Sequence, residues 1–194
     1  MRILTLNVCG IRASQKKGLY TWLVRQKADV ICLQEIRADE QQICEKKYHI
    51  KGFGRYLKSA EKKGYSGVSI YSKEDPLNIN DEINDKIFDS EGRFIEVELP
   101  SLFVSSVYFP SGSSSDERQK LKYKFMEKFE IYLSKVKKRE KPTVICGDWN
   151  IAHKKIDIKN WRSNQKNSGF LPQERKWLDN IMKNYAIKDA FREV

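Results

Sequence analysis

The strongest constraint on this chain is that several short apolar runs each end in an acid or an amide. Asn7 follows Ile3-Leu4-Thr5-Leu6, and Glu35 follows Val30-Ile31-Cys32-Leu33-Gln34. Asp148 and Asn150 follow Val144-Ile145-Cys146-Gly147. Apolar runs of this length with polar ends read as buried strands. Carboxylates at strand ends of an α/β sheet converge on one rim, where ligand crevices sit. Oxygen donors of this kind suit Mg²⁺ or Mn²⁺, which bind through one or two carboxylates plus waters and phosphate. A single strand-end carboxylate is equally well explained as a cap on the next turn, and the residues alone leave both readings open.

The rest of the chain alternates strands and helices. Strands are predicted at Arg2–Val8, Asp29–Gln34, Gly67–Ser72, Arg93–Leu99, Leu102–Phe109 and Thr143–Cys146. Helices are predicted at Gln15–Lys27, Asp39–Lys47, Asp116–Lys138 and Gln173–Lys183. The clearest is Asp116–Lys138, where Leu121, Phe125, Phe129 and Tyr132 recur at helical spacing, with Asp116 as N-cap and Pro142 as terminator. Leu19, Trp22 and Leu23 are expected on one apolar face of the first helix. Two strands follow one another between Phe94 and Phe109, which predicts a mixed sheet rather than a simple doubly wound one. No repeat or linker interrupts the chain, so residues 1–194 read as one domain.

Composition excludes several classes. At 40% hydrophobic and 11% aromatic residues the chain is not a disordered polymer. No stretch reaches the apolar length that crosses a bilayer, and Met1–Val8 reads as a strand rather than a leader, so a cytoplasmic protein without membrane contact is expected. The four cysteines form no C-x-x-C pair and only two histidines are present, which argues against zinc. The net charge of +11 favours a polyanion as partner. Seven basic and two acidic residues fall between Lys154 and Lys176. A solvated lysine-rich surface gives the same count.

Gly147-Asp148-Trp149-Asn150 is the most informative tetrapeptide. A tight glycine turn is expected to bring Asp148 out of the strand, with Asn150 on the same side two residues later. A carboxylate beside an amide can hold and deprotonate a water, and an Asx turn uses the same residues. Tyr108 ends an apolar strand before Pro110. Its phenol either packs in the core or donates to an oxygen that gains charge in a transition state.

Six segments in order carry a family resemblance: Leu6–Ala13 (LNVCGIRA), Asp29–Glu35 (DVICLQE), Gly64–Val68 (GYSGV), Val107–Pro110 (VYFP), Gly147–His153 (GDWNIAH) and Lys166–Arg175 (KNSGFLPQER). The sequence resembles the exonuclease III/AP-endonuclease family of the endonuclease/exonuclease/phosphatase superfamily, to which DNase I belongs. The resemblance implies a DNase I-like α/β fold, a four-layer sandwich of two mixed β-sheets flanked by helices. It implies a monomeric, Mg²⁺-dependent DNA-repair phosphodiesterase, with Mn²⁺ as a substitute metal. The substrate would be double-stranded DNA with abasic sites or blocked 3′ ends, cleaved 5′ to the abasic site, with 3′→5′ exonuclease and 3′-end cleaning activity.

By the same resemblance Glu35 would be the principal metal ligand, with Asn7, Asp148 and Asn150 completing the metal and phosphate site. Asp148 would deprotonate the attacking water, Asn150 would position Asp148, and Tyr108 would stabilise the transition state. Arg12, Lys154, Asn164, Asn167 and Arg175 would contact DNA. Cys9 stands where some members carry an acidic ligand, and it is not assigned to metal. His153 falls at a position without catalytic duty. Family members also continue into segments containing "RIDY" and a closing "SDH", which bring a further Asp, a catalytic His and a final Asp. These are absent here, so the expectation is a C-terminally incomplete domain, its last strands missing and its activity weak or lost. The remaining readings are a superfamily phosphatase or phospholipid phosphodiesterase, and a non-catalytic fragment.

Overall fold

A computed structural model describes residues 1–193. The chain divides into two compact units, one of Met1–Phe109 with Glu140–Trp149, the other of Pro110–Arg139 with the residues from Asn150 onward.

Among the described residues the first unit holds all eight strands: β1 (Ile3–Asn7), β2 (Val30–Gln34), β3 (Gly54–Lys58), β4 (Val68–Ser72), β5 (Asn78–Asn80), β6 (Phe94–Glu98), β7 (Phe103–Tyr108) and β8 (Thr143–Asp148). They form two four-stranded sheets, ordered β1-β2-β4-β3 and β5-β6-β7-β8. The pairs β1–β2 and β7–β8 are parallel and the others antiparallel, so both sheets are mixed, as expected. The sheets pack through one core in which Val30, Cys32, Val68 and Ile70 meet Ile95, Val97, Val104 and Cys146. The alternate residues Ile31 and Leu33 face the other way. There they pack on helices α1 (Ile11–Lys16) and α2 (Leu19–Arg25) through Ile11, Leu19, Tyr20 and Leu23. A short helix α3 (Lys86–Ser90) precedes β6, capped by Asp85.

The second unit contains α4 (Asp116–Val136), α5 (Trp161–Asn164) and α6 (Pro172–Tyr185). Trp177 on α6 donates its indole N–H to Glu130 of α4, and Phe125 and Phe129 are buried along α4. Pro172 opens α6 at the one place in a helix where a missing N–H costs nothing.

Several local expectations are corrected. The helix expected over Gln15–Lys27 is broken at Gly18, whose φ of 87° no helix continues through. Trp22 then lies 44% exposed instead of on the apolar face. Asp39–Lys47 forms 3-10 turns at Gln41–Ile43 and Lys46–Tyr48. The N-cap of α4 is Ser115, which accepts from the Arg118 amide, with Asp116 inside the first turn. Strand β8 runs on through Gly147 to Asp148. Gly147 is therefore no turn residue. It lies opposite Val107 in the parallel ladder, and a Cβ there would sit 2.3 Å from the Val107 carbonyl oxygen.

Candidate active site

Four of the five catalytic and metal-site candidates, Asn7, Glu35, Tyr108 and Asp148, sit at or just past the C-terminal ends of β1, β2, β7 and β8. The parallel registers pair Asn7 with Gln34, the residue before Glu35, and Tyr108 with Asp148. The face-to-face packing of the sheets then brings the two strand pairs to one rim. Asn7 joins them: its amide nitrogen donates to Glu35 Oε2 at 2.8 Å and to Asp148 Oδ2 at 2.7 Å. Its oxygen is occupied by the Cys9 amide at 2.9 Å. Asn7 therefore turns its nitrogen, not a metal-ligating oxygen, towards the two carboxylates.

The backbone at this rim is unusual. Cys9, Glu35, Arg37 and Ser66 have φ of 46°, 56°, 49° and 43°, a region that side chains with a Cβ occupy at a cost. A ladder of backbone bonds over-determines it: Gly10 N to Glu35 O at 2.7 Å, Ile36 N to Gly67 O at 3.2 Å and Arg37 N to Ser66 O at 2.8 Å. Gly67, the second glycine of the GYSGV segment, has φ 88°, and a Cβ there would lie 2.6 Å from Ile36 Cγ1. The turn thus presses on the residue that follows Glu35.

Glu35 is 9% exposed. Its Oε1 is ion-paired with the Arg37 guanidinium, and that bond is the main reason the Arg37 pKa is raised. Cys9 Sγ stands 3.9 Å from the same oxygen. Burial pushes the Tyr108 phenol up, the Glu35 carboxylate adds to the rise, and Arg93 opposes it. The phenol therefore stays protonated and able to donate. Behind it lies Arg93, 2% exposed, its guanidinium 5.2 Å from the Tyr108 ring centre. Arg93 donates to the Tyr108 carbonyl at 3.0 Å and to the Tyr65 hydroxyl at 2.9 Å, and pairs with Glu91. Sequence reasoning missed both Arg37 and Arg93. The available signal for Arg93 was an arginine at the head of an apolar strand, directly after a glycine.

Arg12 lines a cavity of about 510 Å³ with Cys9, Gly10, Lys16, Arg37 and Gly64, a basic hollow beside Glu35. In the second unit, Asn150 has φ 51° and its carbonyl oxygen accepts from Lys122 Nζ at 2.7 Å. The other expected DNA contacts belong to this unit and are partly engaged in its own structure. Asn164 donates to the carbonyls of Lys159 and Asn160 and accepts from Asn167. Lys154 shares Asp179 with His153, at 2.6 and 2.8 Å, which holds the Asp179 carboxyl below its usual range. Arg175 lies over the Phe170 ring, 4.4 Å from its centre.

Among the described residues no three His, Cys, Asp or Glu side chains gather into a metal cluster. A hard cation that keeps most of its waters needs fewer protein ligands. The nearly buried Glu35 carboxylate, with Asp148 held beside it through Asn7, is a donor set that fits Mg²⁺ or Mn²⁺. The same rim offers a carboxylate that can accept a proton and a protonated phenol that can donate a hydrogen bond.

Comparison with known proteins identifies the family. Residues 4–188 match the family described as "Endonuclease/Exonuclease/phosphatase family". The chain is 36% identical over 199 residues to the zebrafish (Danio rerio) "DNA repair nuclease APEX1", covering all of this chain and 63% of the relative. It is 35% identical over 197 residues to the "Exodeoxyribonuclease" of Bacillus subtilis (strain 168), covering all of this chain and 75% of that protein. The chain thus spans between three-fifths and three-quarters of these relatives' lengths. The structure of an AP endonuclease from Archaeoglobus fulgidus superposes with a TM-score of 0.84 at 26% identity, over 95% of this chain and 70% of that one. The match runs through all six motif segments and both sheets, and the chain belongs to the exonuclease III/AP-endonuclease branch of the endonuclease/exonuclease/phosphatase family.

Proposed function

We propose that this chain carries the hydrolytic core of a DNA-repair nuclease that cleaves duplex DNA 5′ to abasic sites and trims blocked 3′ ends. The observation that carries the reading is the Asn7 amide bonded to both Glu35 and Asp148 at the ends of β1, β2 and β8. A phosphodiester needs charge neutralisation, an activated water and stabilisation of the oxygens that gain charge. Asp148 accepts the proton of the attacking water, and Asn150 orients that carboxylate and a phosphate oxygen. Tyr108 donates its phenol proton in a hydrogen bond to an equatorial oxygen, and its raised pKa keeps that proton in place. Asn7 holds the two carboxylates at a fixed spacing so that neither drifts as charge moves. Glu35, with Asp148 in reach, would hold Mg²⁺, which supplies charge neutralisation at the phosphate and the leaving oxygen.

Duplex DNA as substrate is supported by the names of the relatives and by the net charge of +11. Arg12, Lys154, Asn164, Asn167 and Arg175 are the proposed backbone contacts, in a protein acting as a monomer in the cytoplasm. No helix among the described residues is long and apolar enough to cross a membrane.

The test is nicking of a duplex with one abasic site in the presence of Mg²⁺. Glu35→Ala and Asp148→Asn are expected to abolish nicking while binding to the same duplex is retained. Cleavage of a phospholipid or inositol phosphate in preference to DNA would overturn the assignment.

A further inference from the structure

We infer that Lys122 and Glu174 are positioning residues that set the backbone at Asn150, through a fully buried ion pair inside the second unit. The inference rests on the catalytic part proposed above for Asn150. Lys122 on α4 and Glu174 on α6 are both 0% exposed in their side chains, and Lys122 Nζ meets Glu174 Oε1 at 2.6 Å. Withdrawing two charges from water is expensive, and their attraction recovers that cost only when every remaining donor and acceptor finds a partner. Here the partners are present. Glu174 Oε1 also accepts from Gln119 Nε2 at 3.1 Å, and Oε2 accepts from the Gly169 and Leu171 amides at 2.8 and 3.0 Å. Glu174 sits in the first turn of α6, where a negative charge also meets the positive end of the helix dipole.

An apolar pair of similar volume would hold α4 to α6 about as well. What it could not supply is a directed donor, and Lys122 spends one on the Asn150 carbonyl oxygen at 2.7 Å. The opposite end of the same turn is gripped too. The Ala152 amide donates to the Gly169 carbonyl at 2.8 Å, and the Gly169 amide is one of the two held by Glu174. Residues 150–152 are thus clamped at both ends by one ion pair, directly at Lys122 and through Gly169 at Glu174. The clamp is tight: a Cβ on Gly169, whose φ is 93°, would come 3.1 Å from the Asn150 oxygen. The φ of Asn150, 51°, lies in the left-handed region, which asparagine adopts more readily than most residues, so these bonds rather than strain fix the turn. The acid of the KNSGFLPQER segment therefore acts on the GDWNIAH segment, which explains why an acidic side chain stands at a position that meets no solvent.

Removing one partner strands a buried charge, so Lys122→Met and Glu174→Gln are each expected to melt below the wild-type chain. The double variant Lys122→Met/Glu174→Gln removes both charges and is expected to regain most of the melting temperature. Its nicking kcat on an abasic duplex is expected to stay at least tenfold down with KM little changed, because the Asn150 carbonyl is no longer held. Adding Asn150→Ala to the double variant is expected to lower kcat by less than it does in the wild-type background. Amide and side-chain ¹H–¹⁵N signals of Asn150 are expected to shift in the double variant while those of Asn7 on β1 stay in place. Recovery of kcat together with the melting temperature would reduce the pair to packing and overturn the inference. Unchanged Asn150 signals would overturn it whether or not the chain is a nuclease. In a wild-type chain whose nicking is too weak to assay, the Asn150 signals decide the positioning role by themselves, whereas cleavage of a phospholipid in preference to DNA would instead defeat the proposed function.

Discussion

At the scale of single residues, Asn7 joins the two carboxylates to which the proposed chemistry is assigned. One amide group satisfies two carboxylates that would otherwise repel each other across the gap between β1, β2 and β8. Hydrogen bonds to charged groups contribute about 1.5–3 kcal/mol each. Asn7→Ala is therefore expected to lower kcat/KM on an abasic duplex by about 10- to 100-fold, read in steady-state nicking assays. Tyr108→Phe keeps the ring against Arg93 and removes only the hydroxyl. If that hydroxyl donates to the transition state, kcat is expected to fall by about 10²–10³ with KM nearly unchanged. Asn7, Glu35, Tyr108 and Asp148 were legible in the sequence because each closes an apolar run, and strand ends of parallel pairs share a rim. Arg37 and Arg93 were not. Arg37 lies in a polar loop and meets Glu35 only because both take left-handed backbone. Arg93 reads as the polar boundary of a strand, and its place after a glycine at the head of an apolar run is too weak a signal to single out a buried guanidinium.

Single elements depend on a few close approaches. Gly147→Ala would drive a methyl into the Val107 backbone and prise β8 from β7 at the residue before Asp148. Overpacking of this kind costs about 1–3 kcal/mol. Both the urea midpoint and the nicking rate of Gly147→Ala are expected to drop. Helix α2 is locked to its sheet by a buried pair of phenols, Tyr20 and Tyr71, whose oxygens are 2.7 Å apart, and Tyr71 donates on to the Tyr48 carbonyl at 3.0 Å. Burial raises the pKa of both tyrosines. The folded state therefore holds these protons more firmly than the unfolded chain. Their stabilisation is complete below the ordinary tyrosine value of about 10 and is lost as pH rises beyond it. A thermal melt series from pH 8 to 11 is expected to show a falling melting temperature above pH 10, with a shallower fall in Tyr20→Phe. Elements with strong periodicity, such as α4, were legible in outline. The break at Gly18 and strand β5 were not, because a glycine inside an apolar pattern and an exposed Asn-Ile-Asn triplet carry no periodic signal.

Charge acts on the scale of the whole molecule. Lys and Arg exceed Asp and Glu by 37 − 26 = 11, and part of the surplus lies in the Lys154–Lys176 stretch. Each phosphate neutralised should contribute a slope of about −0.9 to the plot of log K against log salt. Titration of an abasic duplex between 50 and 200 mM salt is expected to weaken binding steeply. Lys154→Ala and Arg12→Ala are each expected to make the slope shallower by about 1. A slope near zero would remove DNA as the partner. The sheet pattern was legible because two strands follow each other without a helix between Phe94 and Phe109. The two-unit division was not, since it depends on chain returning from Glu140 to complete the first unit. The four left-handed side chains at the rim, Cys9, Glu35, Arg37 and Ser66, also have a meaning for evolution and engineering. Each stores on the order of 1–2 kcal/mol that glycine would release. Selection for thermal tolerance alone should therefore enrich glycine at these four positions, and the hardiest survivors should be the poorest catalysts.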